Sequence, residues 1–182
     1  MNAIDLLKQQ HKKTLAALEK AANGKLDARE SKKAADELVA HMAIEEHIFY
    51  PRVRQLMKEM VAGSFEEHTV ARFELARALT ARGDAELEAR FKVLLEIVSH
   101  HIDEEEEVMF PKVQKSIPAE ELNRLGERMQ AMFVKAVQLG LEELVTGVTH
   151  ELRSPEPRAN GGGRNGGGAR KSASRGSMRA SR

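Results

Sequence analysis

Two stretches of the chain match each other, HMAIEEHIFYP at residues 41–51 and HIDEEEEVMFP at residues 101–111. Each begins with a His, carries a pair of Glu at the fourth and fifth positions after it, and ends with a Pro at the tenth. Residues four apart on a helix lie on the same face, so the His and the first Glu of each copy can contact one ion. The repeat therefore predicts two metal-binding helices.

Each copy is preceded by a helix-like segment that contains one more inward His. His11 lies in an apolar stripe with Leu7 and Leu18, and His68 lies in a similar stripe before the second copy. This order indicates a duplicated unit, in which a helix with one His is followed by a helix with a His and a Glu. Four helices would then direct six side chains at one point: His11, His41, Glu45, His68, His101 and Glu105.

The composition favours a helical protein that holds metal through nitrogen and oxygen. Hydrophobic residues make up 41% of the chain and charged residues 31%, whereas aromatic residues make up only 4%. Because the chain has no Cys, it can form neither disulfides nor thiolate metal sites. The sequence also lacks an apolar run of membrane-spanning length and a leader pattern at its start, so we expect a cytoplasmic protein without a membrane partner.

Capping residues and prolines predict where the second helix begins and ends. Asp27 and Glu30 form a capping box that opens it. Pro51 cannot donate a backbone hydrogen bond, so we expect a kink or a break at that residue. The helical segment should then continue to Gly63.

A second capping box, formed by Ser64 and Glu67, is expected to open the third helix, which should end at Gly83. Asp84 is the expected cap of the fourth helix. The inward stripe of this helix is predicted to include Val108.

The predicted fold is all-α, an antiparallel up-down-up-down four-helix bundle over residues 1–115. Residues 116–150 should form an additional helix that packs against the bundle or a partner. Residues 151–182 are rich in Gly, Arg and Ser, which predicts a disordered basic tail. Such a tail can attract nucleic acid, but the lack of interleaved aromatic side chains favours a solvated chain end.

Burying four imidazoles and two carboxylates without partners would cost several kcal/mol per charge, and a bound cation removes that cost. The alternative is a metal-free bundle in which Arg72 forms a salt bridge with Glu45 or Glu105. His47 and His100 fall outside the inward stripes and are expected at the surface. His150 is expected in the last helical turn before the tail, and none of these three His belongs to the predicted site.

The number and type of donors favour two ions. Nitrogen and oxygen donors without sulfur suit Fe, Mn or Zn. Six side chains exceed what one tetrahedral Zn needs, which favours two ions bridged by the carboxylates. If both ions are six-coordinate and share an oxo or hydroxo bridge, one position per ion stays open for a small ligand.

The pattern of inward His, paired Glu and Pro over residues 1 to about 115 resembles the hemerythrin-like, or HHE cation-binding, family. The resemblance implies a four-helix bundle around a non-haem centre of two iron ions bridged by carboxylates and an oxo or hydroxo group. It also implies activities that include reversible oxygen binding, nitric oxide or redox sensing, peroxide chemistry and iron handling.

Two departures from the family pattern disfavour a stable oxygen carrier. The animal oxygen carriers have a second His one turn after the His of the third helix, where this chain has Arg72. Their last carboxylate is an Asp five places after the His of the fourth helix, whereas here Glu105 or Glu106 must serve. We therefore expect an open coordination position and a guanidinium near the ions. Arg72 and Tyr50 are expected to tune the access of ligands to the ions and the redox potential of the ions.

These observations predict a protein that binds or senses a small oxidant such as oxygen, nitric oxide or peroxide, with two iron ions as its cofactor. One alternative is an enzyme that turns over peroxide or nitric oxide, or oxidises ferrous iron, at the same centre. Another is an interaction module with a structural metal and a tail that attracts nucleic acid.

Overall fold

The computed structural model describes residues 1–139, and all regular secondary structure in this part of the chain is helical. Five long helices carry the architecture, and two short helices follow two π-helical turns. The end of the predicted fifth helix and the predicted disordered tail lie outside the described residues. The elements are α1 (Ala3–Ala22), α2 (Ala28–Ile44), a first π-turn (Glu45–Phe49), α3 (Tyr50–Val53), α4 (Lys58–Leu79), α5 (Asp84–Glu104), a second π-turn (Glu105–Met109), α6 (Phe110–Ser116) and α7 (Ala119–Leu139).

The capping box predicted at the start of α2 is confirmed. The Asp27 carboxylate accepts a hydrogen bond of 2.7 Å from the backbone N–H of Glu30, and the Glu30 carboxylate accepts one of 3.0 Å from the backbone N–H of Asp27. Both contacts satisfy N–H groups that the first turn of a helix leaves without partners.

The predicted boundary between the second and third helices is wrong. The chain leaves the helix after Val53, and α4 begins at Lys58 and runs without a break through Gly63 and Ser64. The Ser64 hydroxyl donates to the backbone carbonyl of Met60 at 3.0 Å, which is a bond within the helix rather than a cap. Val61 and Ser64 are buried on the inward face of this helix, and their packing outweighs the local stop signal.

The boundary between α4 and α5 also differs in detail from the prediction. The third long helix, α4, ends at Leu79, before Gly83. Gly83 occupies the N-cap position of α5 with φ +159°, and Asp84 is the first helical residue rather than the cap. The carboxylate of Asp84 therefore lies in the first turn, where the helix dipole favours a negative charge.

The two prolines of the repeat follow π-turns instead of breaking their helices. In the first π-turn the backbone N–H of Tyr50 donates to the carbonyl of Glu45, five residues earlier, and Pro51 comes directly after it. Each wider turn changes which of the residues within it and after it face inward. Val108, inside the second π-turn, is therefore 51% exposed, contrary to the prediction, and Met109 is buried in its place.

Helix α1 packs against α2 and α5, and α4 packs against α5 and α2, which together enclose a bundle. The up-down-up-down order of the helices stays a prediction. Two apolar clusters lie within the bundle, and on α1 His11 falls between Leu7 of the first cluster and Leu18 of the second. The first cluster includes Ile4, Phe49, Phe110 and Met129, and the second includes Leu38, Leu75, Phe91 and Leu94.

Helix α7 covers the bundle by packing on α1, α2 and the first π-turn. At Gly126 it comes so close to the chain start that a Cβ atom would lie 2.5 Å from the carbonyl oxygen of Met1. Arg52 donates from its guanidinium to both carboxylate oxygens of Glu121, which ties α7 to α3. The described part of this helix therefore lies against the bundle. None of the helices in residues 1–139 has the length and apolarity to cross a bilayer.

Candidate metal centre

The six side chains predicted from the repeat lie together in the interior of the bundle. Each of these residues is at most 5% exposed to solvent. Four helices and both π-turns supply them: His11 from α1, His41 from α2, Glu45 from the first π-turn, His68 from α4, His101 from α5 and Glu105 from the second π-turn.

Glu45 belongs to two groups of potential ligands at once. His11, His41 and Glu45 place one ligand atom each within 4.8 Å of one another, and so do Glu45, His68 and His101. Its Oε1 atom lies 3.2 Å from Nε2 of His41, and its Oε2 atom lies 3.3 Å from Nε2 of His68. The two oxygens of one carboxylate therefore face two different groups, as a bridging ligand requires.

Glu105 also faces both groups, but with a single oxygen. Its Oε2 atom lies 3.3 Å from Nε2 of His11 and 3.7 Å from Nε2 of His101, one imidazole of each group. Glu106 lies behind His11, with its Oε1 atom 2.9 Å from Nδ1 of that ring. Of the two carboxylates that the sequence left open, Glu105 is the one that faces the other imidazoles.

Tyr50 was expected to act from outside the site, but its hydroxyl lies within it. This hydroxyl donates a hydrogen bond of 2.9 Å to Oε1 of Glu105, and it lies 3.3 Å from Nε2 of His68 and 3.4 Å from Nε2 of His101. Phe110 holds the equivalent place in the second copy of the repeat, and its ring stacks on His11. The two groups therefore differ, because only one of them contains a phenol.

Every imidazole of the site contacts an oxygen acceptor through Nδ1. Because an amide or carboxylate oxygen accepts the hydrogen bond, Nδ1 carries the proton and the Nε2 lone pair is left for an ion. No local sequence pattern indicates these four partners. They are Glu106 for His11 at 2.9 Å, Gln10 for His41 at 2.8 Å, Glu46 for His68 at 2.9 Å and Glu67 for His101 at 2.7 Å.

These outer contacts follow the duplication of the chain. Glu46 and Glu106 are each the second Glu of a repeated pair, and each contacts the single His of the other half of the duplication, His68 and His11. Gln10 and Glu67 each come directly before such a His. The one chemical difference is that an amide in the first half is replaced by a carboxylate in the second.

Arg72 lies near the site but does not contact either central carboxylate. Its guanidinium lies 2.7 Å from Oε2 of Glu46, which in turn holds His68. The metal-free alternative predicted a salt bridge from Arg72 to Glu45 or Glu105. That prediction is wrong, because the partner of Arg72 is Glu46.

The carboxylates strongly affect the protonation of the imidazoles. Burial lowers the pKa of His11, but Glu105 and Glu45 outweigh it and raise the pKa to about 10. His68 is raised in the same way to about 9 by the two glutamates that it contacts. Burial dominates at His41, whose pKa is lowered. Burial also opposes ionisation of Glu45, but His41 and the neighbouring imidazoles hold its pKa well below the usual value. A cation that binds here must displace protons from the site.

Five buried atoms of the centre have no hydrogen-bond partner within the described residues. The distances between these imidazoles and carboxylates permit Coulomb attraction, but their geometry does not satisfy a hydrogen bond. Leaving a buried polar atom unsatisfied costs about 1–3 kcal/mol, and coordination of a cation would satisfy all five. The atoms are Nε2 of His11, Nε2 of His41, Oε1 and Oε2 of Glu45, and Oε2 of Glu105.

The His residues predicted to lie outside the site do so where the structure describes them. His100 has a side chain that is 67% exposed, and His47 is exposed as well. His150 lies outside the described residues.

Comparison with known families agrees with this geometry. The family model described as "Hemerythrin HHE cation binding domain" matches residues 2–113, a range that includes all six central residues. No significant match was found among curated proteins or among solved structures.

Proposed function

Because the chain belongs to the hemerythrin HHE cation-binding family, we propose that it is a di-iron protein that binds or senses a small oxidant such as oxygen, nitric oxide or peroxide. His11, His41, His68 and His101 are the terminal ligands in this proposal. Glu45 and Glu105 bridge the two ions.

The observation that carries this proposal is the position of Glu45 between two groups of imidazoles. Its two oxygens face different groups, and both lack hydrogen-bond partners. A single ion beside His68 and His101 would leave Nε2 of His11 and of His41 without a partner. A single ion beside His11 and His41 would leave Oε2 of Glu45 without one. Two ions are therefore supported by the cost of burying unsatisfied polar atoms.

Iron is supported by the donor set. Imidazole nitrogen and carboxylate oxygen suit iron, and a pair of iron ions supplies redox chemistry and an open position for a small ligand. The protein holds the donors in place: the four outer partners orient the imidazole rings through Nδ1, and the buried Tyr50 hydroxyl fixes Glu105. The apolar clusters on either side restrict water.

An enzyme is the second candidate, and the Tyr50 hydroxyl favours it. This phenol places a transferable proton against Glu105 and beside two imidazoles. Turnover of peroxide or nitric oxide, or oxidation of ferrous iron, requires such a proton source at the centre. Steady-state peroxide and nitric oxide consumption tests this candidate, and a rate no greater than that of free iron excludes it.

The binding proposal is tested by loading the purified protein with ferrous iron and exposing it to air. We expect an iron charge-transfer band in the near ultraviolet that shifts when azide is added. His41→Ala should lose the band, whereas His47→Ala, which removes an exposed imidazole from the same repeat, should keep it. An iron-treated protein without any such band contradicts the proposal.

A further inference from the structure

We propose that His100, Glu104 and Glu67 form a surface site for a divalent transition-metal ion, from which ions pass into the buried centre. This inference rests on the proposed function, because it assigns a loading route to that centre.

The three side chains come from two helices and present their ligand atoms to a common point. Nε2 of His100 lies 3.6 Å from Oε1 of Glu104 and 3.9 Å from Oε1 of Glu67. One ligand atom from each residue lies within 4.8 Å of the others. Both distances exceed hydrogen-bonding range, so this ring nitrogen is available to a ligand. An imidazole with two carboxylates suits iron, cobalt, manganese or zinc.

A single carboxylate joins this surface cluster to the centre. While Oε1 of Glu67 faces His100, its Oε2 atom lies 2.7 Å from Nδ1 of His101. His101 is also the most exposed of the six central residues, at 5%. An ion held at Glu67 is therefore separated from the centre by one imidazole ring.

The other three outer contacts are less suited to a cation. Glu46 is paired with the Arg72 guanidinium at 2.7 Å, and Glu106 lies 3.9 Å from the Lys8 ammonium. A cation that approached either carboxylate would be repelled by the positive charge beside it. Gln10 carries no charge to attract an ion. Among the four partners, only Glu67 of α4 is accompanied by further potential ligands, His100 and Glu104 of α5.

The surface cluster of His100, Glu104 and Glu67 occurs only in the second of the two repeated units. The positions equivalent to His100 and Glu104 in the first copy of the repeat are Ala40 and Ile44, and both are fully buried. Helix α7 packs on α2, whereas His100 on α5 is open to solvent. The duplication therefore places ligand-forming residues at the side of the bundle that an ion can reach.

Cobalt uptake by the metal-free protein tests this inference, because the absorption of Co²⁺ changes when nitrogen and oxygen ligands replace water. Stopped-flow rates are measured over a range of Co²⁺ concentrations for the full chain. We expect a rate that saturates in the wild type, since ions bind the surface site before they move inward. His100→Ala and Glu104→Gln should each load about tenfold more slowly at low Co²⁺, with little saturation. Asp103→Asn is the matched control, because it removes the same charge from an exposed neighbour on α5, and it should load at the wild-type rate.

The amount of cobalt retained after desalting separates this inference from the proposed function. Wild type and all three variants should retain the same amount, because the buried ligands are unchanged. Wild-type loading kinetics in both His100→Ala and Glu104→Gln would overturn the loading route without contradicting the proposed buried centre. A lower final content at an unchanged rate would overturn it as well. A wild-type protein that retains no cobalt would instead contradict the proposed function.

Discussion

The Tyr50 hydroxyl donates a hydrogen bond of 2.9 Å to Oε1 of Glu105 and so links the two copies of the repeat across the centre. Burial raises the pKa of Tyr50 well above its usual value, and the negative charges of Glu105 and Glu45 raise it further. In the absence of an ion, Tyr50 is therefore a neutral donor at neutral pH. Its partner carboxylate has one oxygen held by the phenol and the other directed at the imidazoles.

Tyr50→Phe should destabilise the metal-free protein, because it leaves Oε1 of Glu105 buried without its donor. We expect a loss of about 1–3 kcal/mol in the free energy of unfolding. Denaturant unfolding followed by circular dichroism measures this loss. The substitution introduces the residue that the second copy already has at Phe110, so the packing volume changes little. Unchanged stability would show that the hydrogen bond contributes nothing to the fold.

Glu45→Gln should reduce the iron content of the protein below the wild-type value. The reduction should be larger than that caused by replacing any residue that contacts Nδ1 of an imidazole. The amide has only one oxygen and no negative charge, so it cannot bridge two ions as a carboxylate does. Elemental analysis after desalting measures the effect. Glu46→Gln is the matched control, because it changes the adjacent residue, which contacts Nδ1 of His68 rather than the ions. This control should retain iron with an affinity about 10–100-fold weaker. Equal iron loss in both variants contradicts the bridging role.

The metal-free protein should lose stability as the pH rises above about 6.5. His11 and His68 have pKa values raised from 6.5 to about 10 and about 9. A raised pKa stabilises the folded state below the unfolded pKa, and this contribution is lost as the pH rises through the folded values. Thermal melts between pH 6.5 and 9 should therefore show a falling Tm without metal.

The iron-loaded protein should show a smaller decrease over the same range, because imidazoles that bind an ion have already released their protons. Loading should also release protons, which an indicator dye in weakly buffered solution detects. A Tm that rises with pH in the metal-free protein would contradict the assigned pKa directions.

Gly126→Ala should destabilise the contact between α7 and the start of the chain. The new Cβ atom would lie 2.5 Å from the carbonyl oxygen of Met1, so one of the two segments must move. Overpacking of this kind costs about 1–3 kcal/mol. Gly63→Ala is the control, since a Cβ atom in α4 at this position meets nothing within 4 Å. That substitution should stabilise the helix by about 0.5–1 kcal/mol. A Gly126→Ala protein as stable as the Gly63→Ala protein would contradict the close packing of α7.

The positions of the six central residues could be predicted because helical spacing is a local property. His41 and Glu45 are four residues apart, and the repeat shows the same pair again at His101 and Glu105. The outer partners depend instead on contacts between helices. His11 and Glu106, for example, are separated by 95 residues of sequence, and no local pattern indicates that they meet.

The predictions that failed did so where packing or backbone geometry outweighed a local signal. Gly63 and Ser64 resemble a helix end followed by a cap, but the inward packing of Val61 and Ser64 keeps the helix continuous. Val108 lies within the second π-turn, and a pattern of α-helical period continued into that turn assigns it to the wrong face. Tyr50 comes directly after the first π-turn, so the α-helical pattern also failed to place its side chain inside the site.

The most direct test of the proposed centre is a crystal structure of the iron-loaded protein with anomalous scattering recorded at the iron edge. We predict two anomalous peaks, one beside His11 and His41 and the other beside His68 and His101, with the Glu45 carboxylate between them. A single peak, or peaks remote from Glu45, would contradict a shared centre of two ions.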